Sequence, residues 1–238
     1  MLKVDLSETK PGFLALLANP DDLIVVDANF YLPPDRTRIG AKYKYSFDEY
    51  KEVWIVPMHK SFPNLAIHEA VLDELVDSAS SEFVQNCLQS KTTPKLQRLS
   101  DSSLSPSAEA IRKGKEGRIA PYTKYDPSRD NKDDRGEVKS LAHMGTVGYT
   151  FFVSNDATAL RLIEEAEQLG TTLDDLRVVH FYEGIYYLGK TNAINRDAAR
   201  NLYRYHYYNT KKDKQRNPPW EEFLAGMDKL YTPIIDLN

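Results

Sequence analysis

Residues 23–29, Leu23-Ile24-Val25-Val26-Asp27-Ala28-Asn29, decide the fold class: an unbroken apolar run ends on an acid, a small residue and an amide. Four β-capable residues in succession, with no polar alternation, predict a strand buried on both faces, the habit of parallel sheets. The acid that ends it is costly, because a carboxylate at the edge of an apolar strand must find a cation, a proton or good donors. A second run, Tyr149-Thr150-Phe151-Phe152-Val153-Ser154-Asn155-Asp156, ends the same way. In open α/β sheets ligands sit outside the carboxyl ends of the parallel strands, so two such strands are expected to bring Asp27 and Asp156 to one crevice.

Working outward from the first strand, Phe13, Leu14, Leu16 and Leu17 predict a short amphipathic helix ending near Asn19-Pro20. After the strand, Tyr31-Leu32-Pro33-Pro34-Asp35 breaks the pattern and a basic loop with Arg36, Arg38, Lys42 and Lys44 follows. Ser46 is the expected N-cap of a helix from Phe47 to about His59. Leu65-Ala66-Ile67 reads as a second strand and His68 to Val76 as a helix, so the first eighty residues alternate strand and helix as in a doubly wound sheet. Residues 78–135 are loop-rich, with short helices expected around Glu82–Leu88 and Ser107–Lys113, and hold too few large apolar residues to form a domain of their own. Gly136–Met144 resumes helical spacing. Asp156–Leu169 is the clearest helix, capped by Gly170, and Arg177–Tyr182 reads as a last strand. Polar, Tyr-rich helices over about 190–238 finish the chain, the final one opening at Pro218-Pro219-Trp220. The expectation is one domain over 1–238, of three-layer α/β/α class with a mainly parallel central sheet.

The 238 residues include 41% hydrophobic ones, enough for a real core, and the net charge of −4 gives no whole-chain nucleic-acid signature. One cysteine, Cys87, excludes a disulfide framework and a multi-thiolate zinc site. No stretch approaches the roughly 18 apolar residues of a membrane span, and Met-Leu-Lys-Val-Asp does not open like a secretory leader, so a cytoplasmic protein without membrane association is expected. No Gly-rich phosphate loop, nucleophile elbow or dinucleotide fingerprint is present.

Asp27, Glu74, Glu137 with its neighbour Asp134, and Asp156 each begin or end a core element. Oxygen ligands without Cys or paired His suit a hard octahedral cation such as Mg2+ or Mn2+. Such an ion activates water, holds phosphate and neutralises the departing oxygen, so these acids could suffice for phosphodiester hydrolysis. Structural explanations compete with each assignment. Asp134 and Glu137 stand three apart before a helical run, as a capping pair would, and Asn155 and Asp156 could cap and open the next helix. Around Glu74, the acid could equally be Glu69 or Asp73, which share a helix face.

Four stretches, Val25-Val26-Asp27-Ala28-Asn29, Ile67-His68-Glu69-Ala70-Val71-Leu72-Asp73-Glu74-Leu75, Asp134-Arg135-Gly136-Glu137-Val138-Lys139-Ser140-Leu141-Ala142 and Phe152-Val153-Ser154-Asn155-Asp156-Ala157-Thr158-Ala159-Leu160, resemble in order the successive motifs of PIN-domain nucleases. The match spans roughly residues 21–190. The resemblance implies a parallel α/β fold and Mg2+- or Mn2+-dependent cleavage of RNA, as in toxin or defence nucleases and RNA-processing enzymes. It also implies Asp27, Glu74, Glu137 or Asp134, and Asp156 as the acidic quartet, with Ser154 as the small hydroxyl residue that contacts the site. A branched- or single-strand DNA nuclease, or a non-catalytic module binding RNA or protein, are the alternatives. An antitoxin or other protein partner, or a homodimer, would be a natural companion. The long insertion and the Tyr-rich C-terminus depart from the smallest members of the family.

Two segments are locally basic. Lys91–Arg135 holds eleven Lys/Arg against seven Asp/Glu, and Lys190–Arg216 holds eight against two. In the latter, Arg196, Arg200 and Arg204 recur at four-residue spacing among Tyr203, Tyr205, Tyr207 and Tyr208. Guanidinium groups fork onto phosphates and tyrosines stack on unpaired bases, so this is a candidate RNA contact surface together with Asn29 and Asn155 near the acids. A solvated helix face with tyrosines packed beneath it is the competing reading. His68 and His143 lie near motif acids but show no metal-binding spacing, and read as structural.

Overall fold

A computed structural model describes residues 3–33, 44–75 and 79–235; Arg36, Arg38 and Lys42 of the basic loop and Val76 at the expected helix end lie outside the described residues. In chain order, α1 (Pro11–Ala18) leads into β1 (Ile24–Val26). Next come α2 (Phe47–Tyr50), a wide π turn (Lys51–Ile55), α3 (Val56–Ser61), β2 (Leu65–His68) and α4 (Glu69–Leu72). The middle of the chain supplies α5 (Ala79–Gln89), β3 (Gln97–Leu99), α6 (Pro106–Ile119) and α7 (Arg135–Val147). It continues with β4 (Phe151–Ser154), α8 (Ala157–Glu164), α9 (Ala166–Leu169) and β5 (Arg177–His180). The last helices are α10 (Phe181–Lys190), α11 (Arg196–Tyr207), α12 (Lys211–Arg216) and α13 (Trp220–Ile235).

The five strands form one all-parallel sheet in the order β3-β2-β1-β4-β5. In the centre, Ile24, Val25 and Val26 pair with Leu65, Ala66 and Ile67 on one side and with Phe151, Phe152 and Val153 on the other. These strands are unbroken apolar runs because both faces are covered, and alternate residues serve different cores. Val25, Ala66, Phe152 and Val178 pack with Val138 and Leu141 of α7 and Leu162 of α8. Ile24, Val26, Leu65, Ile67, Phe151, Val153 and Val179 join Phe13 of α1, Trp54 of the π turn, Phe181 of α10 and Leu202 of α11. The result is the expected three-layer α/β/α arrangement.

Several local expectations are corrected. The Phe47–His59 helix is continuous in direction but widens to a π turn at Lys51–Ile55. Pro57, at the start of α3, has no N–H to give the preceding turn, which accounts for the widening. His68 ends β2 rather than opening a helix, and its Nδ1 accepts from Ala70 N at 3.3 Å as the cap of α4. Within residues 78–135, β3 was expected to be loop: Gln97 and Arg98 are exposed and only Leu99 is buried, so an edge strand of this composition has no apolar run to reveal it. The two short helices expected there are the longer α5 and α6. The Asp156–Leu169 helix is interrupted at Glu165, although Gly170, at φ 65°, ends it as expected. Finally, β5 stops at His180, because the backbone N of His180 donates to Glu183 Oε2 at 2.9 Å and starts α10 with Phe181 and Tyr182 inside it.

Candidate functional site

From β1 the chain moves outward through β2 and β3, then returns to the other side of β1 for β4 and β5. The carboxyl ends of β1 and β4 therefore flank the topological switch point, where open α/β sheets form a crevice. A cavity of about 940 Å3 lies there, and Asp27, Glu74, Asp134, Glu137 and Asp156 all line it.

Asp27 follows β1 directly, its backbone N donating to Val153 O at 3.2 Å to prolong the ladder with β4. Its Oδ1 accepts from Ala28 N at 2.8 Å, and its Oδ2 accepts from Asn29 Nδ2 at 2.6 Å and from Ser154 Oγ at 3.0 Å. Ser154 Oγ also accepts from Asn29 Nδ2 and from Asp156 N, both at 3.0 Å. Asn29 Oδ1 in turn accepts from Asn155 N at 3.1 Å. The small polar residues that end the two strands thus bind one another and fix the carboxylate, rather than projecting freely toward a substrate.

Asp156 is itself the N-cap of α8: its Oδ1 accepts from Thr158 N at 2.7 Å and from Ala159 N at 3.2 Å. Its Oδ2 takes no hydrogen bond among the described residues. Glu74 stands at the cavity rim, just past α4, and its Oε1 accepts from Gly136 N at 2.9 Å. This contact needs glycine, since a Cβ at Gly136 would lie 2.2 Å from Glu74 Oε1 and 3.2 Å from the Val71 backbone. Neither Glu69 nor Asp73 joins the site: Glu69 accepts from Asp101 N and Ser100 Oγ, and Asp73 pairs with Arg135 at 3.0 Å.

Glu137 sits in the first turn of α7, and its Oε1 is buried without a hydrogen-bond partner among the described residues. The capping-pair explanation for it does not hold. Asp134 precedes α7 in the left-handed region, at φ 55°, and caps nothing with its side chain; its Oδ2 instead accepts from Lys124 N at 2.8 Å.

Crowding these acids in a site of low dielectric raises their proton affinity. Burial pushes Asp27 up to about 6, against the pull of the Ala28 and Ser154 hydrogen bonds and with the help of the Asp156 charge. Burial, then the neighbouring Asp27, pushes Glu74 up to about 7. Glu137 reaches about 9, again through burial first and then through the charges of Asp156, Asp27, Asp134 and Glu74. An acid cluster of this kind holds protons or a cation. Its donors are carboxylate oxygens and one of them is buried without a partner among the described residues, which is the donor chemistry of a hard divalent ion such as Mg2+ or Mn2+, although among those residues His68, Asp101 and His143, and not these acids, gather three ligand atoms within 4.8 Å of one another.

The arginine stripe lies elsewhere. Arg196, Arg200 and Arg204 are exposed on α11 and none lines the cavity; Arg196 pairs with Glu221 at 2.6 Å. Tyr203, Tyr205 and Tyr207 are buried in the core and Tyr208 is half-buried, so tyrosines pack beneath the arginines instead of standing beside them as a stacking surface. Residues that sequence patterns did not single out for the site complete its wall. His206 comes from the end of α11, Asn209 from the turn after it, Asp213 from α12, Asn217 from just past α12, and Lys132 and Asp133 from the turn before α7, while Tyr207 of the tyrosine cluster joins them. His206 Nδ1 lies 3.1 Å from Asn155 Nδ2, and Asn217 Oδ1 accepts from Val4 N at 2.9 Å. Contacts this distant in sequence leave no local signal.

No protein-family model, curated protein or solved structure matches this chain.

Proposed function

We propose that the chain is a PIN-like, metal-dependent endonuclease that hydrolyses RNA phosphodiester bonds. Asp27, Glu74, Glu137 and Asp156 would hold Mg2+ or Mn2+, with Asp134 in reserve. The observation that carries this reading is the buried, unpartnered Oε1 of Glu137, set among three further carboxylates at the switch point of the sheet.

When bound, the ion supplies an activated water and neutralises charge on the phosphate and the departing oxygen. The chain supplies rigidity. Asp27 is held by three donors, Glu74 by the Gly136 amide and Asp156 by the first amides of α8. Each hydrogen bond orients its carboxylate before a substrate arrives. A cavity of about 940 Å3 admits a nucleotide-sized group. Lys132 at its lining offers one phosphate contact. The C-terminal turn of α11 reaches the cavity through His206 and Tyr207, and the exposed Arg204, Arg200 and Arg196 on the same helix would be contacts for a strand extending beyond it.

The test compares matched single-stranded RNA and DNA in Mn2+ with wild type and with the Asp27→Asn, Asp156→Asn double variant. The expected result is endonucleolytic RNA cleavage by wild type alone. Cleavage of DNA only would move the activity to the other polymer. RNA binding that survives the double substitution, with no cleavage by either protein, would replace catalysis with a binding role.

A further inference from the structure

Away from the carboxylate cavity, His68 at the end of β2, Asp101 just after β3 and His143 within α7 converge on one buried point. We propose that these three residues form a second metal site, suited to a zinc-like cation, that clips the segment after β3 to the sheet and to α7. This inference does not rest on the nuclease reading.

His68 Nε2 lies 3.2 Å and His143 Nδ1 2.9 Å from the same oxygen, Asp101 Oδ1. The three donor atoms all fall within 4.8 Å of one another, the ring centroids are 5.0 Å apart, and the imidazole side chains are 1% and 3% exposed. Two imidazole nitrogens and one carboxylate oxygen are a zinc donor set that leaves one position for water. This distinguishes the site from the all-oxygen cavity and its preference for harder ions.

Charge and outer contacts agree. Arg112 Nε approaches Asp101 Oδ2 at 3.2 Å and its Nη1 pairs with Glu116 at 2.6 Å, so one guanidinium is shared between two carboxylates. Although burial opposes ionisation, hydrogen bonds from His143 and His68 hold Asp101 well below the usual carboxylate range. Glu69 fixes the loop from behind, accepting from Asp101 N at 2.9 Å and from Ser100 Oγ at 2.6 Å. Such outer contacts orient metal ligands.

Without metal, each imidazole donates an N–H to Asp101 Oδ1. An ion takes the lone pairs of His68 Nε2 and His143 Nδ1, so the single proton of each neutral ring shifts to its other nitrogen. In His68 that nitrogen is Nδ1, which accepts from Ala70 N at 3.3 Å, so metal on Nε2 gives up that long hydrogen bond. The Ala70 amide therefore reports loading.

The experiment titrates Co2+, a spectroscopic substitute for Zn2+, into the full chain carrying Asp27→Asn, which disables the carboxylate cavity. The expected result is one equivalent bound with the intense visible absorption of a low-coordinate nitrogen and oxygen site, displaced by Zn2+. Asp101→Asn and His143→Gln should weaken it by more than about tenfold. On Zn2+ addition the Ala70 amide resonance should shift in wild type. Absence of the absorption together with an unmoved Ala70 amide would overturn the proposal and leave a hydrogen-bonded triad. Unchanged affinity in Asp101→Asn, a near-isosteric variant that keeps an oxygen acceptor, would overturn it as well. If His143→Gln does not fold, Asp101→Asn and the Ala70 resonance decide.

Discussion

Glu137 carries a carboxylate oxygen, Oε1, that no described residue satisfies, and the substitution Glu137→Gln isolates what that costs. Gln imitates the protonated acid that the folded protein holds at neutral pH, so the metal-free variant should be more stable than wild type. With a folded value of about 9 against an ordinary 4.5, the gain at pH 7 is about 3 kcal/mol. Thermal or urea unfolding in a chelator measures it. The same variant should lose the stabilisation that Mn2+ gives wild type; an acid with only a structural role would show the opposite sign in chelator. Gly136→Ala makes a second residue-scale prediction. Ala in an exposed helix ordinarily gains about 1 kcal/mol over Gly, but here its Cβ would press on Glu74 Oε1 and the Val71 backbone. A loss of about 1–3 kcal/mol is expected instead, partly recovered in Gly136→Ala with Glu74→Ala, which a double-mutant cycle of unfolding free energies would read. At this scale the sequence was informative where an acid ended an apolar run, as at Asp27 and Asp156. It was ambiguous where acids clustered: spacing alone could not separate Glu74 from Glu69 and Asp73, because α4 is only four residues long and Glu74 lies just past it.

Among the elements, α8 carries two roles on one residue, and two substitutions separate them. Asp156 caps the helix through Oδ1 and lines the cavity. Asp156→Asn keeps a capping oxygen and removes the charge, so stability should hold within about 0.5 kcal/mol while divalent-ion binding weakens. Asp156→Ala should lose ion binding and also about 1–2 kcal/mol of stability. Chemical denaturation with and without Mn2+ distinguishes the pair. The central strands were legible because burial on both faces forces continuous apolar residues at β1, β2 and β4. β3 was not, since an edge strand with two exposed polar residues satisfies its backbone with β2 alone and needs no pattern of its own. The π turn before Pro57 was equally hidden, because the helical spacing of Tyr50 and Trp54 survives it.

For the molecule as a whole, the raised acids make stability depend on pH in a direction opposite to ordinary acid denaturation. Unfolded, Asp27, Glu74 and Glu137 release protons near 3.8, 4.5 and 4.5; folded, they hold them to about 6, 7 and 9. The folded state therefore binds more protons across this window, and the contribution of these groups is complete below about pH 4 and lost as pH rises toward 9. Metal-free protein should accordingly lose stability between pH 5 and pH 9, and saturating Mn2+ should lessen that decline, since the ion favours the deprotonated cavity acids, while Glu183, raised to about 7 by burial away from the cavity, keeps its own share. Unfolding curves across this range, in chelator and in Mn2+, measure both. At this scale the three layers and the order of acids followed from the alternation of strands and helices. The wall built by His206, Tyr207 and Asn217 did not, because it depends on where α10 to α13 fold back against the sheet.

The most direct measurement is cleavage of a structured RNA by wild type and by Glu137→Gln in Mn2+ and in chelator, with folding of both proteins followed in the same buffers. A metal-dependent nuclease site predicts cutting by wild type in Mn2+ only, and none by a variant that is folded and, in chelator, more stable. Equal cutting by the variant, or a wild type that neither cuts nor gains stability from Mn2+, would contradict it.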